Sequence, residues 1–195
     1  SGAFDSEEQR KSWNSDDDGY SFVTEDGISC LKIECELDKV RYQTQSILSP
    51  IRKFGAGTTY MLSAKIKVKN YVAGSTNPFL DLYISGYYDN NGTSTWWGGN
   101  GIGLTKYLTI SNTDGTKATD GWVGVYGTYT IPNYVTSSVV TSANFNICCR
   151  DFTGELYITD ISMSAMVLPN GSNANATMQN VTYGSAVGTL PTPTR

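Results

Sequence analysis

Apolar and polar residues alternate with a period of two along most of this chain. In Tyr60-Met-Leu-Ser-Ala-Lys-Ile-Lys-Val, Leu62, Ala64, Ile66 and Val68 stand against Ser63, Lys65 and Lys67. In Phe79-Leu-Asp-Leu-Tyr-Ile-Ser-Gly-Tyr-Tyr, Leu80, Leu82 and Ile84 fall on one side. A helix repeats every 3.6 residues and scatters such a pattern around its axis, whereas a strand sorts it onto two faces. Residues 28–35, 41–48, 122–131, 144–150 and 156–163 also read as strands. Turn clusters separate them: Gly55-Ala-Gly, Asp89-Asn-Asn-Gly, Asn112-Thr-Asp-Gly, Pro132-Asn and Thr153-Gly. Ser6-Glu-Glu-Gln-Arg-Lys predicts a single helical turn and nothing longer. The spacing therefore predicts an all-β fold, a β-sandwich of jelly-roll type.

The 195 residues suit one ordinary domain with a tail. Composition changes after Pro169, where Asn170-Gly-Ser-Asn-Ala-Asn-Ala-Thr is small and polar like a linker. The expected division is a sandwich over 1–169 and a tail over 170–195. Apolar runs are only a few residues long, so membrane insertion is not expected. The net charge of −4 argues against a nucleic-acid partner, which calls for a basic patch.

There is no histidine. That removes the commonest general base, the Ser–His and Cys–His pairs, and imidazole zinc ligands. Carboxylates are plentiful (Asp81, Asp89, Asp114, Asp120, Asp151, Glu155, Asp160), but none stands out as a glycosidase pair and most fall at turns. Gly98-Gly-Asn-Gly-Ile-Gly has the glycines of a phosphate loop but no helix follows it. The chain is not expected to be an enzyme. Of the four cysteines, Cys30 and Cys35 would face opposite sides of one strand, and a bond between the adjacent Cys148 and Cys149 would be strained. Buried free thiols and a disulfide framework both stay open.

Aromatic residues make up 12 % of the chain, and they carry the functional signal. A sugar ring presents a flat face of C–H bonds, and Tyr and Trp offer a flat, rigid, apolar partner with a polar tip. Turning Leu80, Leu82 and Ile84 inward puts Asp81, Tyr83, Ser85 and Tyr87 outward. The same parity puts Trp122, Tyr126, Thr128 and Thr130, and likewise Asn146, Cys148 and Arg150, outward. These three strands are expected to share one polar, aromatic face. Trp96 and Trp97 fall in the Asn/Gly-rich connection, where two adjacent tryptophans are expected to be exposed. The candidate ligand-binding set is Trp96, Trp97, Tyr83, Tyr87, Tyr126 and Arg150, the last as a multiple hydrogen-bond donor to hydroxyls. The competing reading is ordinary packing, above all for Trp13 and Trp122, which would plug the end of a sandwich.

Three further stretches are Tyr60-Met-Leu-Ser-Ala, Trp122-Val-Gly-Val-Tyr-Gly-Thr-Tyr-Thr-Ile-Pro132 and Gly154-Glu-Leu-Tyr-Ile-Thr-Asp-Ile-Ser-Met163. With the opening Phe4-Asp5 and Trp13, they resemble the jelly-roll carbohydrate-binding modules of the family 4, 9 and 22 type. The resemblance spans roughly residues 3–168. It implies a galactose-binding-domain-like sandwich and a non-catalytic, monomeric module that binds a polysaccharide or oligosaccharide. It also implies a structural calcium ion held by Asp5 and Asp160. Here the chain departs from the motif, which has Glu at residue 5 and Asp-Asp at residues 159–160. Asn180-Val-Thr-Tyr-Gly-Ser-Ala-Val-Gly-Thr-Leu-Pro-Thr-Pro-Thr-Arg195 resembles the start of a Listeria–Bacteroides (internalin-type) B repeat. That implies a secreted or cell-surface bacterial parent of several domains. The alternative from another class is a structural or adhesion domain of a phage tail or host-contact protein.

Overall fold

A computed structural model describes residues 4–11, 13, 19–46, 59–98, 101–132, 140–166, 181–183 and 186–188. One short helix, α1 (Glu7–Lys11), opens it. It sits where a single turn was expected, and a reciprocal cap explains it. Ser6 Oγ accepts the Gln9 amide at 3.3 Å, while Gln9 Oε1 accepts the amides of Ser6 at 3.2 Å and Asp5 at 2.8 Å.

The rest of the described chain is strand, turn and one 3₁₀ turn at Leu104–Tyr107. One sheet contains β1 (Tyr20–Glu25), β2 (Ile28–Cys35), β4 (Thr59–Ala73), β9 (Val123–Thr130) and β11 (Phe152–Met166), with the two-residue strands β7 (Ile110–Ser111) and β8 (Lys117–Ala118). Its order is β1-β2-β11-β4-β8-β7, and β9 also pairs with β4. The other sheet contains β3 (Val40–Ser46), β5 (Phe79–Asn90), β6 (Thr93–Gly98) and β10 (Val140–Arg150), in the order β3-β10-β5-β6. Every pairing is antiparallel. The chain passes between the sheets from β2 to β3, β3 to β4, β4 to β5, β6 to β7, β9 to β10 and β10 to β11. The expected β-sandwich jelly roll is the fold.

Leu31, Ile33, Leu62, Ile66, Leu82, Ile84, Ile147, Leu156 and Ile158 fill the space between the sheets without exposed surface. They sit at alternate positions, as the period-two pattern requires. Trp13 closes one edge of this core, its ring 6.0 Å from Phe4 and 6.2 Å from Phe145. That is the packing role weighed against ligand contact for this residue. The outer face of the larger sheet is charged. Lys67 and Lys69 both reach Glu25 at 2.6 Å, and Lys32 reaches Glu155 at 2.8 Å.

Two hairpins lay down the edges. Asp26-Gly27 joins β1 to β2 and Asn91-Gly92 joins β5 to β6, and all four residues have positive φ (52°, 78°, 53° and 84°). Two-residue turns of this kind follow the right-handed twist of the strands, and Asn-Gly and Asp-Gly favour them. The domain boundary expected near Pro169 lies outside the described residues. Beyond it, β12 (Val181–Tyr183) and β13 (Ala186–Gly188) form a small antiparallel hairpin.

Candidate functional site

The Asn91-Gly92 turn decides the fate of the two adjacent tryptophans. It extends β6 through residue 98, so Trp96 and Trp97 lie on a strand rather than in an open connection. Neighbouring residues on a strand face opposite ways. Trp97 turns inward and is fully buried, while Trp96 turns outward and is 55 % exposed. The expectation of two exposed rings is corrected: Trp97 belongs to the core, and only Trp96 is open to a ligand. The signal was present in the sequence as Asn91-Gly92 between two alternating stretches.

Trp96 pairs directly across the ladder with Tyr87, which is 48 % exposed. A Cβ at residue 98 would collide with the indole atoms Cζ2 and Cη2 of Trp96. The indole therefore lies folded over Gly98 while Trp96 stays more than half exposed.

Behind this pair the outer face of the smaller sheet is polar. Asn146 Nδ2 donates to Ser85 Oγ at 3.0 Å and to the Asn144 carbonyl at 3.1 Å. Asn146 and Ser85 are nevertheless buried. Further along β5, Tyr83 is half-buried and meets Phe79 edge-on at 6.0 Å. Phe79 in turn carries the Arg150 guanidinium 5.1 Å from its ring centre. Arg150 Nε donates to the Asn77 carbonyl at 3.0 Å. Phe79 escaped the sequence reading, although its parity with Tyr83 already placed it on this face. From Phe79 to Tyr87 the row of aromatics runs for about 27 Å at the rise of a strand.

At the Arg150 end lies a cleft of about 160 Å³ lined by Asp38, Val40, Thr76, Asn77, Arg150 and Asp151. Asp151 builds its floor. Its carboxylate accepts the amides of Asn77 at 2.7 Å, Thr76 at 2.9 Å and Asp38 at 3.4 Å. The Asn77 amide is the main reason its carboxyl is held below the ordinary Asp range. At mid-sheet, Asp81 is buried and accepts the amides of Gly103 at 2.6 Å, Leu82 at 2.7 Å and Gly101 at 3.1 Å. Burial pushes its carboxyl up against the opposing pull of those amides. It anchors the segment that follows β6 to the side of β5.

The structure does not bring Tyr126 to this face. β9 pairs with β4 in the larger sheet, with Tyr126 opposite Ser63. Tyr126 is 62 % exposed but looks out from the opposite side of the sandwich. The expected single face built from β5, β9 and β10 is corrected to one built from β5, β6 and β10. Cys148, expected outward, has the right parity but is covered. Trp122 is half-buried, with Lys65 Nζ 5.8 Å from its ring centre. Asp5 is exposed, and Asp160 is half-buried in the left-handed conformation (φ 52°) at an irregularity of β11. Among the described residues no three His, Cys, Asp or Glu side chains gather as a metal site.

No protein-family model matches the sequence, and a search of curated proteins finds no match. Among solved structures the chain is similar to CBM28, a carbohydrate-binding module specific for non-crystalline cellulose. The identity is 9 %, covering 83 % of this chain and 92 % of that one, with a TM-score of 0.47. It is also similar to the xylan-binding CBM22-1 domain of Paenibacillus barcinonensis Xyn10C, at 14 % identity over 78 % of this chain and 85 % of that one, TM-score 0.43. A third likeness is to the enzymatically active domain of tailspike protein 4 from bacteriophage CBA120 (13 % identity, TM-score 0.44). It covers 80 % of this chain but 19 % of the tailspike chain. At these scores the likenesses say nothing about what this chain binds.

Proposed function

We propose that this chain is a non-catalytic glycan-binding module, with the outer face of the β3-β10-β5-β6 sheet as its binding face. The observation that carries the reading is the pair Tyr87 and Trp96. Two large rings stand side by side and half exposed on one face, with the Trp96 indole folded over Gly98. Such a surface suits the C–H face of a pyranose, where each stacked ring contributes on the order of 1 kcal/mol. Tyr83 and Arg150 extend the face toward the cleft, where Arg150 keeps donors beyond its Nε for sugar hydroxyls. Titrating the chain calorimetrically against a panel of β-glucans, xylans and starches tests the proposal. Binding that is weakened by Trp96→Ala and by Tyr87→Ala supports it. Silence on every glycan would favour the reading as a structural or adhesion domain of a phage tail or host-contact protein.

Secretion or surface display within a larger chain, and calcium at Asp5 and Asp160, are further proposals that rest on the sequence resemblance. The two carboxylates are hard oxygen donors of the kind Ca²⁺ prefers, and carbonyls and water would have to complete its six to eight ligands.

A further inference from the structure

The four cysteines occupy different surroundings. Cys30 points away from the interior, its thiol 3.7 Å from the Val23 carbonyl oxygen. Cys148 lies on the outer side of β10, opposite in parity to its neighbour. Cys35 and Cys149 alone among them face the core between the sheets. Cys35 is the last residue of β2 and Cys149 the last but one of β10.

β2 and β10 belong to opposite sheets. Packed sheets stand about 10 Å apart. These two strands nevertheless come within 8 Å of each other between Cα atoms. The cause is visible in the chain path. Residues 36–39 carry the chain from β2 into β3, and Asp151 carries it from β10 into β11, at the same end of the sandwich. The two crossings are tied together: the Asp151 amide donates to the Lys39 carbonyl at 3.0 Å, and the Asp38 amide donates to Asp151 Oδ1 at 3.4 Å. The Cys35 and Cys149 thiols, both free and buried in the core, neighbour each other under this tie.

We propose that Cys35 and Cys149 form a disulfide that staples the two sheets together. The oxidant is a low-molecular-weight disulfide such as glutathione disulfide. The Cys35 thiolate attacks one of its sulfurs, a protein–glutathione mixed disulfide forms, and one glutathione thiol leaves. The Cys149 thiolate then displaces the second glutathione and closes the bond. The protein loses two protons and two electrons in all, and one glutathione disulfide becomes two glutathione thiols. Burial pushes the Cys149 thiol up and so slows this exchange once the sandwich has closed. Oxidation therefore accompanies folding. The bond closes a loop of more than a hundred residues, where restricting the unfolded chain has its largest effect.

The test uses the full chain, reduced and unfolded, then refolded in a mixture of reduced and oxidised glutathione. Free thiols are trapped with iodoacetamide in denaturant and the digest is mapped by mass spectrometry. The expected result is alkylation of Cys30 and Cys148 and one linked peptide pair joining Cys35 to Cys149. The oxidised form should melt on the order of 10 °C above the reduced form. Cys35→Ser should lose the linked peptide, and its melting should no longer respond to reductant. Four alkylated cysteines after oxidative refolding, or a bond through Cys30 or Cys148, would overturn the proposal. The map of the unsubstituted chain decides this even if Cys35→Ser fails to fold.

Discussion

Tyr87 and Trp96 stand directly opposite each other across the β5–β6 ladder, and both rings face out of the smaller sheet. One position further along the same strand, Trp97 faces in and has no exposed surface. Two chemically identical neighbours are thereby given opposite tasks, and mutation should separate them. Trp96→Ala should weaken binding to a recognised glycan about fivefold to tenfold, the loss of one stacking contact, and leave the melting midpoint nearly unchanged. Trp97→Ala should cost about 3–5 kcal/mol of stability as a large cavity opens in the core. Calorimetric titration and thermal melts on both variants check this. A binding loss in Trp96→Ala that follows a loss of fold would sink the assignment.

Gly98 sets the posture of the platform. A methyl group there would occupy the space of the Trp96 indole edge. Because the indole can swing outward, Gly98→Ala should cost little stability. It should still reduce glycan affinity severalfold, by lifting the ring off the sheet and freeing its rotamer. Tryptophan fluorescence should report the more solvated indole. Unchanged affinity together with unchanged fluorescence would show that the ring does not depend on this glycine.

Acid should loosen the Arg150 end of the sandwich. The folded state holds the Asp151 carboxyl below its ordinary value, chiefly through the Asn77 amide. The folded state therefore binds this proton more weakly than the unfolded chain does. The resulting stability is present above the ordinary Asp value near 4, and it is lost as pH falls through the lowered folded value. Asp151→Asn should be less stable than the parent at pH 7, and the gap should narrow toward pH 2. Urea melts at both pH values measure it. A gap independent of pH would mean that the carboxylate charge contributes nothing.

Calcium at Asp5 and Asp160 has a direct readout. A cation that binds the folded chain raises its midpoint with concentration. Excess chelator should lower the melting midpoint, added Ca²⁺ should restore it, and Asp160→Asn should remove the difference. Equal midpoints with chelator and with calcium would end the idea.

The strands themselves were legible because burial at alternate positions is a local property. Leu62, Ala64, Ile66 and Val68 are all buried in β4, as the pattern required. The single helical turn was legible too, through Ser6 and Gln9. The turn residues were equally visible, and Asn91-Gly92 held the register that splits Trp96 from Trp97. What the pattern could not supply was the choice of sheet. Period-two alternation says that Tyr126 and Tyr87 both point away from a core, but not that their strands lie in different layers. That choice depends on which backbone edges meet across dozens of intervening residues. β9 hydrogen-bonds to β4 from Thr59↔Thr130 to Ile66↔Val123, and this long-range pairing carries Tyr126 to the far side of the molecule. The packing of β2 against β10, strands of opposite sheets, brings Cys35 and Cys149 together. Residue identity thus determined which way each side chain faces relative to its own strand. Only the packing of two sheets decided which outward-facing side chains share a surface, because that is a contact between segments distant in the chain.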